Sequence, residues 1–404
     1  MSARITSKLS IAFLFVAALF ASAATIMDAK DKPSDRLVVH EWGTFTSVSD
    51  AAGKAQQWSP LIGPSDLPDF VYRSKEATPA PASGQGRCLK CELALVRMET
   101  PVLYFYTDRE LAVSVKVGFP QGKITEWYPQ AREANHSINW ENFTVLPAAQ
   151  VSFPRSKGES HYYPARETDA APIRLGDESK IEYEKFLFYR GVGNFALPLM
   201  VKLAGDQVTV RNAGQNELAQ VVLFENRGGR VGWRVLNSLK GEATLARPAL
   251  NQTIETLHGE LVKSLVAQGL YEKEAAAMVK TWRDSWFEEG LRVFYIVPRR
   301  ITDAILPIAI TPAPTELARV LVGRTEIITP EMAQAVQSSA KMYLEGTAES
   351  RAAGLKAIEP YGRFAQPILQ RMMEDVHKTG GAKASQPIWD FMIAATANPA
   401  AGKR

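Results

Sequence analysis

The feature that most restricts the fold is a strict two-residue alternation. Leu111, Val113, Val115, Val117 and Phe119 are separated by Ala112, Ser114, Lys116 and Gly118. Side chains that alternate in this way place one face of a strand in a core and the other outside it. Shorter runs at 37–48, 102–106, 123–128, 137–146, 186–190, 199–203 and 207–211 are dense in β-branched and aromatic residues, with turn residues between them. Runs at 221–225 and 230–236 flank Asn226-Arg227-Gly228-Gly229, a hairpin signal. Many short strands with frequent turns predict stacked antiparallel sheets.

The period changes near Asn251. Ile254, Leu257, Leu261 and Leu265 recur at helical spacing, Gly269 supplies a stop, and Ala275, Met278, Trp282 and Trp286 form a second stripe. This predicts two antiparallel helices joined at Gly269, with the tryptophans in the core. Segments 292–297, 305–310 and 318–325 read as strands, and 330–344 and 362–377 as helices. The expected fold class is α+β, mainly β: sandwich-like antiparallel sheets with a helical hairpin and C-terminal helices. The expected divisions are a leader at 1–23, a β-rich sandwich-like domain at 24–250, a mixed helix and strand region at 251–378, and a linker, short helix and disordered tail at 379–404.

The N-terminus reads as an export signal. Arg4 and Lys8 precede an apolar run from Leu9 to Phe20, and Ala21-Ser22-Ala23 offers a cleavage site before Ala24. The run is short of the roughly 20 residues that a membrane span requires, although an uncleaved anchor is the alternative. No later stretch is long and apolar enough to span, so a soluble periplasmic or secreted protein is expected. Removing Arg4 and Lys8 lowers the formal charge from +4 to +2. That balance points away from nucleic acid as a partner. The oligomeric state is not legible.

The cysteines are Cys88 and Cys91. In an oxidising compartment the expected state is a disulfide between them, closing a small loop after the flexible stretch 78–86 and stabilising by roughly 2 kcal/mol. A redox role would need the pair to open a helix, whereas Leu93-Ala94-Leu95-Val96 leads toward a strand. Glu92 stands where a c-type haem motif needs His, and no second cysteine pair completes a zinc site.

Three segments pair a carboxylate with an aromatic ring: His40-Glu41-Trp42, Glu126-Trp127-Tyr128 and Trp140-Glu141. Rings that stack on sugars beside acids that protonate or attack are the ingredients of glycan sites. His40, Glu41, Trp42, Glu99, Glu126, Trp127 and Tyr128 are therefore the candidate ligand-binding residues. Strand geometry limits the idea, because neighbours such as His40 and Glu41 point to opposite faces unless a bulge re-aims one. Rings on strands also commonly pack in cores. No two of His40, His136, His161, His258 and His377 have metal-ligand spacing, and His-Glu-x-x-His is missing. A site assembled in space from His40, His136 and His161 is the remaining route to a metal; no metal or cofactor is expected. No nucleophile elbow occurs, and Gly191-Val192-Gly193 reads as a turn, not a dinucleotide loop.

Several phrases occur together: Val39-His40-Glu41-Trp42-Gly43-Thr44-Phe45-Thr46-Ser47, Arg97-Met98-Glu99-Thr100-Pro101-Val102, Ile124-Thr125-Glu126-Trp127-Tyr128-Pro129, Ser285-Trp286-Phe287-Glu288-Glu289-Gly290, Phe294-Tyr295-Ile296-Val297-Pro298 and Val322-Gly323-Arg324. Together they resemble a family of exported bacterial β-rich proteins with no assigned activity. The resemblance covers most of the chain after the leader. It implies export and carries over no cofactor or catalytic residue. Two functional expectations follow. The first is non-catalytic binding of a glycan, an envelope component or a protein partner. The second is a glycan hydrolase using paired carboxylates such as Glu41, Glu99 or Glu126.

Overall fold

The computed structural model describes residues 36–59, 67–74, 93–133, 135–177 and 179–397. The expected leader and the Cys88–Cys91 pair lie outside these residues. In chain order the strands are β1 (Leu37–Asp50), β2 (Ala55–Gln56), β3 (Tyr72–Arg73), β4 (Val96–Thr107), β5 (Leu111–Gly118), β6 (Gly122–Tyr128), β7 (Arg132–Glu133), β8 (Ser137–Val145), β9 (Ile173–Asp177), β10 (Lys180–Glu184), β11 (Leu187–Gly193), β12 (Leu199–Ala204), β13 (Gln207–Asn212), β14 (Leu218–Arg227), β15 (Arg230–Leu239) and β16 (Glu242–Ala246). Then follow helices α1 (Ile254–Ala267) and α2 (Glu272–Trp286), β17 (Gly290–Val297), α3 (Arg299–Ile305), β18 (Ile308–Thr311), β19 (Glu316–Ile328), α4 (Pro330–Leu344), α5 (Ala348–Ile358) and α6 (Gln366–Ala397).

Among the described residues, a ten-stranded sheet runs β15-β14-β17-β19-β1-β4-β11-β6-β3, with β2 beside β1. Smaller sheets run β10-β9-β8-β5-β18, with β7 on β8, and β12-β13-β16. The architecture is the expected α+β, mainly β fold with C-terminal helices. The large sheet draws strands from both sides of residue 250, so the change in composition there is not a break in the sheet. β1 pairs parallel with β19 and antiparallel with β4.

Alternation along β1 sets up the two faces. Leu37, Val39 and Phe45 join the strand residues of β5 and β8 and those of β12 and β13 in one core. Trp42, with Val102 of β4 and Val322 of β19, packs under the α1–α2 hairpin. Val48 and Ile328 lie beneath α4 and α6. The large sheet is therefore the middle layer, with sheet on one side and helices on the other.

Local signals hold where they are strong. Val113, Val115, Val117 and Phe119 are all buried, as their alternation requires. Gly228 and Gly229 turn the β14–β15 hairpin at φ of 60° and 77°. Gly269 sits at φ 107° between α1 and α2, whose leucine and tryptophan stripes are buried. Thr329 and Thr347 cap α4 and α5 by accepting from the amides of Met332 and Ser350, each at 3.1 Å. At the start of the segment 379–404, where a linker is expected, there is instead a kink at Gly381, φ 73°, within α6. No helix of the described residues is long and apolar enough to cross a membrane.

Candidate functional site

β1 carries most of the chemistry-bearing candidates, and each is committed to a partner inside the protein. Glu41 is fully buried on the sheet-covered face. It accepts from Arg319 Nε at 2.5 Å and from the Tyr189 hydroxyl at 2.5 Å. Arg319 Nη1 continues to Asp303 at 2.7 Å and to the Leu306 carbonyl at 2.8 Å. Burial, reinforced by the Glu41 charge, raises the Tyr189 hydroxyl well above its ordinary pKa, so it stays a donor.

His40 lies on the opposite face. Its Nδ1 is 2.7 Å from Glu274 Oε2, and Glu274 also accepts from the Tyr106 hydroxyl and the Tyr271 amide, each at 2.8 Å. This network fastens the first turn of α2 to the centre of the sheet. The Nε2 atom has no hydrogen-bond partner and lies 3.7 Å from Glu316 Oε1.

Glu99 shares the His40 face, farther along. It accepts from the Thr46 hydroxyl at 2.6 Å, is bonded by Arg363, and lies 3.5 Å from Arg97 Nε. Burial alone would push its carboxyl up, yet Arg363 and Arg97 bring it down to about 2. Glu41 and Glu99 therefore sit on opposite faces of one sheet and form no pair. Glu126 is half-buried, accepts from Thr125, and stands in register with Arg73 of β3 and Arg190 of β11.

The candidate rings are core. Trp42 and Tyr128 are buried on the helix-covered face and Trp127 on the other. Trp127 stacks on Tyr72 at 6.3 Å, and Phe70 meets Tyr128 edge-on at 4.8 Å. None of the three offers the exposed face that a sugar platform needs. His136 and His161 each bond a main-chain carbonyl, of Gly122 and Thr281. No cluster of three metal-ligating side chains occurs among the described residues.

Sequence reading did not anticipate the arginines, buried or partly buried, that neutralise acids within the fold. Arg292 pairs with Glu326 at 2.8 Å, both fully buried, and Arg324 reaches Glu288 at 2.8 Å. Arg166 grips Glu184 at 2.6 Å, and Arg247 grips Glu225 at 2.6 Å. The partners lie on different elements, so no local spacing marks them.

An open cleft lies where β1 begins and β4 ends. Its volume is about 820 Å3. Arg36, Tyr106, Asp108, Lys185 and Tyr271 line it together with 147–153 and 168–172. Ala148, at φ 62°, turns the chain into the first border segment. Gln150, Val151, Ser152 and Phe153 have no regular secondary structure and make no main-chain hydrogen bond with any described residue. Pro154 disfavours a helical backbone at Phe153. Tyr106 and Tyr271 stand between the cleft and His40, at ring distances of 5.7 and 4.5 Å from the imidazole.

No family model matches the chain, and no curated protein does. Among solved structures, it is similar to the yeast delta-COP-I mu-homology domain, at TM-score 0.30 and 8% identity, over 74% of this chain and 98% of that one. The same domain complexed with a Dsl1 WxWxV peptide gives TM-score 0.29 and 8% identity, over 72% and 96%. The Fcho1 mu homology domain of Danio rerio, with bound Eps15 peptide, gives 0.25 and 9%, over 72% and 94%. Likenesses at these scores carry no argument about what this chain does.

Proposed function

We propose that the protein is a non-catalytic binding module that takes an extended segment of a protein partner into the cleft beside 147–153. The observation that carries this reading is the run of main chain at 150–153, which borders the cleft with no hydrogen bond to any described residue. Free amides and carbonyls along such a run give an extended peptide the same pairing that a strand edge gives. Glu41, Glu99 and Glu126, the acids of the hydrolase expectation, are held by arginines, tyrosine or threonine, which removes the motive for that reading. The buried candidate rings do the same for a glycan.

The cellular setting belongs to the same proposal. The leader is removed before Ala24, the mature protein works in the periplasm or outside the cell, and Cys88 and Cys91 are bonded there. N-terminal sequencing of the mature protein and its mass after alkylation without reductant test this. A retained leader or two alkylated thiols would refute it.

Selection of a random peptide library on the purified protein tests the cleft. Binders are retested on Val151→Pro and Ser152→Pro. Successive amides on an extended run point to opposite sides, so one of the two variants removes a cleft-facing donor. Loss of about tenfold or more in affinity for at least one variant, with an unchanged melting temperature, is the expected result. Binders indifferent to both variants, or no binders at all, would overturn the proposal.

A further inference from the structure

Lys185 is a cation of the cleft that forms no ion pair with a described residue. It follows β10, is half-buried, and donates from Nζ to the Thr168 carbonyl at 2.9 Å. An ammonium has three donors, so two remain. The acids nearest to it are engaged elsewhere. Asp169 is bridged by Lys273 at 2.6 Å, and Glu184 is held by Arg166 at 2.6 Å. Asp108, the other acid of the cleft, already has a partner.

Two further groups point the same way. Thr168 borders the cleft, is 6% exposed, and its hydroxyl has no hydrogen-bond partner. A buried hydroxyl without a partner is costly unless something fills the role. Arg36 also lines the cleft, is exposed and forms no ion pair with a described residue. The cleft thus combines two cations that form no ion pair with a described residue and a hydroxyl without a hydrogen-bond partner, beside main chain that is free to pair.

We infer that this end of the cleft is a carboxylate subsite: Lys185 and Thr168, assisted by Arg36, receive an acidic side chain or the terminal carboxylate of the bound peptide. The inference rests on the peptide-binding reading and adds the chemistry of the ligand to it. A carboxylate accepts from an ammonium and a hydroxyl at once, and charge-assisted bonds of this kind strengthen in a partly desolvated site. Burial and the neighbouring Lys273 charge lower the pKa of Lys185, against the opposing pull of Asp169 and Glu184. An anion seated beside it would offset that cost.

The test compares each selected peptide with a version whose acidic side chains and C-terminus are amides, on the wild-type protein and on Lys185→Met. Amidation should weaken binding about tenfold or more to the wild type and far less to Lys185→Met, because the two changes remove one shared interaction. Thr168→Val should reproduce part of the effect. Equal affinity of acid and amide peptides for the wild type would overturn the subsite. So would the same amidation loss on Lys185→Met. Sensitivity to Val151→Pro or Ser152→Pro would in that case persist, so a failed subsite is distinguishable from a failed cleft. Peptides indifferent to the proline variants would remove both.

Discussion

The central strand and the cleft differ in a way that reverses their apparent importance. β1 and its neighbours hold His40, Glu41 and Glu99, the residue types from which active sites are made. Each has a partner within the protein: Glu274 for His40, Arg319 and Tyr189 for Glu41, Arg363 and Thr46 for Glu99. The cleft has no recognisable motif. It has Lys185 with donors to spare, Thr168 with a hydroxyl unpartnered, and 150–153 with main chain unpaired. His40 keeps one buried ring nitrogen without a hydrogen-bond partner, but its imidazole and the two carboxylates are tied into the fold, whereas Lys185 and Thr168 border an open cleft that a ligand can enter.

If that contrast is right, substitutions in the first region should act on folding and those in the second on binding. The largest effect belongs to Arg319→Met, which leaves Glu41 buried without its counter-charge. A loss of about 3–5 kcal/mol is expected in chemical denaturation. The double variant Glu41→Gln/Arg319→Met should recover part of it. A marginal loss for the single variant would show that the pair is not the anchor described above.

Next comes Glu99. Its carboxyl is depressed from the ordinary 4.5 to about 2 in the folded protein. A depressed folded pKa means that the contribution is fully present above the unfolded value and is lost as pH falls through the folded one. Wild-type stability should therefore fall between pH 4.5 and about 2 by an amount on the order of 2–3 kcal/mol from this group. Glu99→Gln should flatten that part of the profile. An unchanged profile would break the assignment.

Tyr106→Phe should cost less. It removes one of the three bonds to Glu274, and about 1 kcal/mol is expected from thermal or denaturant unfolding. Smallest in stability are Val151→Pro and Ser152→Pro, expected within about 0.5 kcal/mol because no internal main-chain bond is lost. Their effect should appear in binding instead. A large destabilisation by either would mean that 150–153 is held by the fold and is not available.

Much of the fold was legible, because its strongest signals are local. The alternation through Val113, Val115 and Val117, the Gly228-Gly229 turn, and the helical stripes on either side of Gly269 all depend on residues within a few positions of each other. The sheet order was not. β1 pairs with β19 across nearly the whole chain, and Arg319 reaches Glu41 over a separation of 278 residues. Glu99 and Arg363 are 264 apart. No periodicity records such partners, so acids that look available in the sequence prove to be neutralised in the fold. Strand alternation did correctly separate His40 and Trp42 from Glu41. The cleft left no trace in the sequence beyond Pro147 and Pro154, since its defining property is the absence of bonds that no residue type announces.

Amide hydrogen exchange, with and without a selected peptide, tests the central claim most directly. In the free protein the amides of 150–153 should exchange fast and those of β1 around His40 to Phe45 slowly. Saturating peptide should slow exchange at 150–153 and leave β1 as it was. Slow exchange at 150–153 in the free protein, or peptide protection that appears on β1 and not at the cleft, would contradict the account.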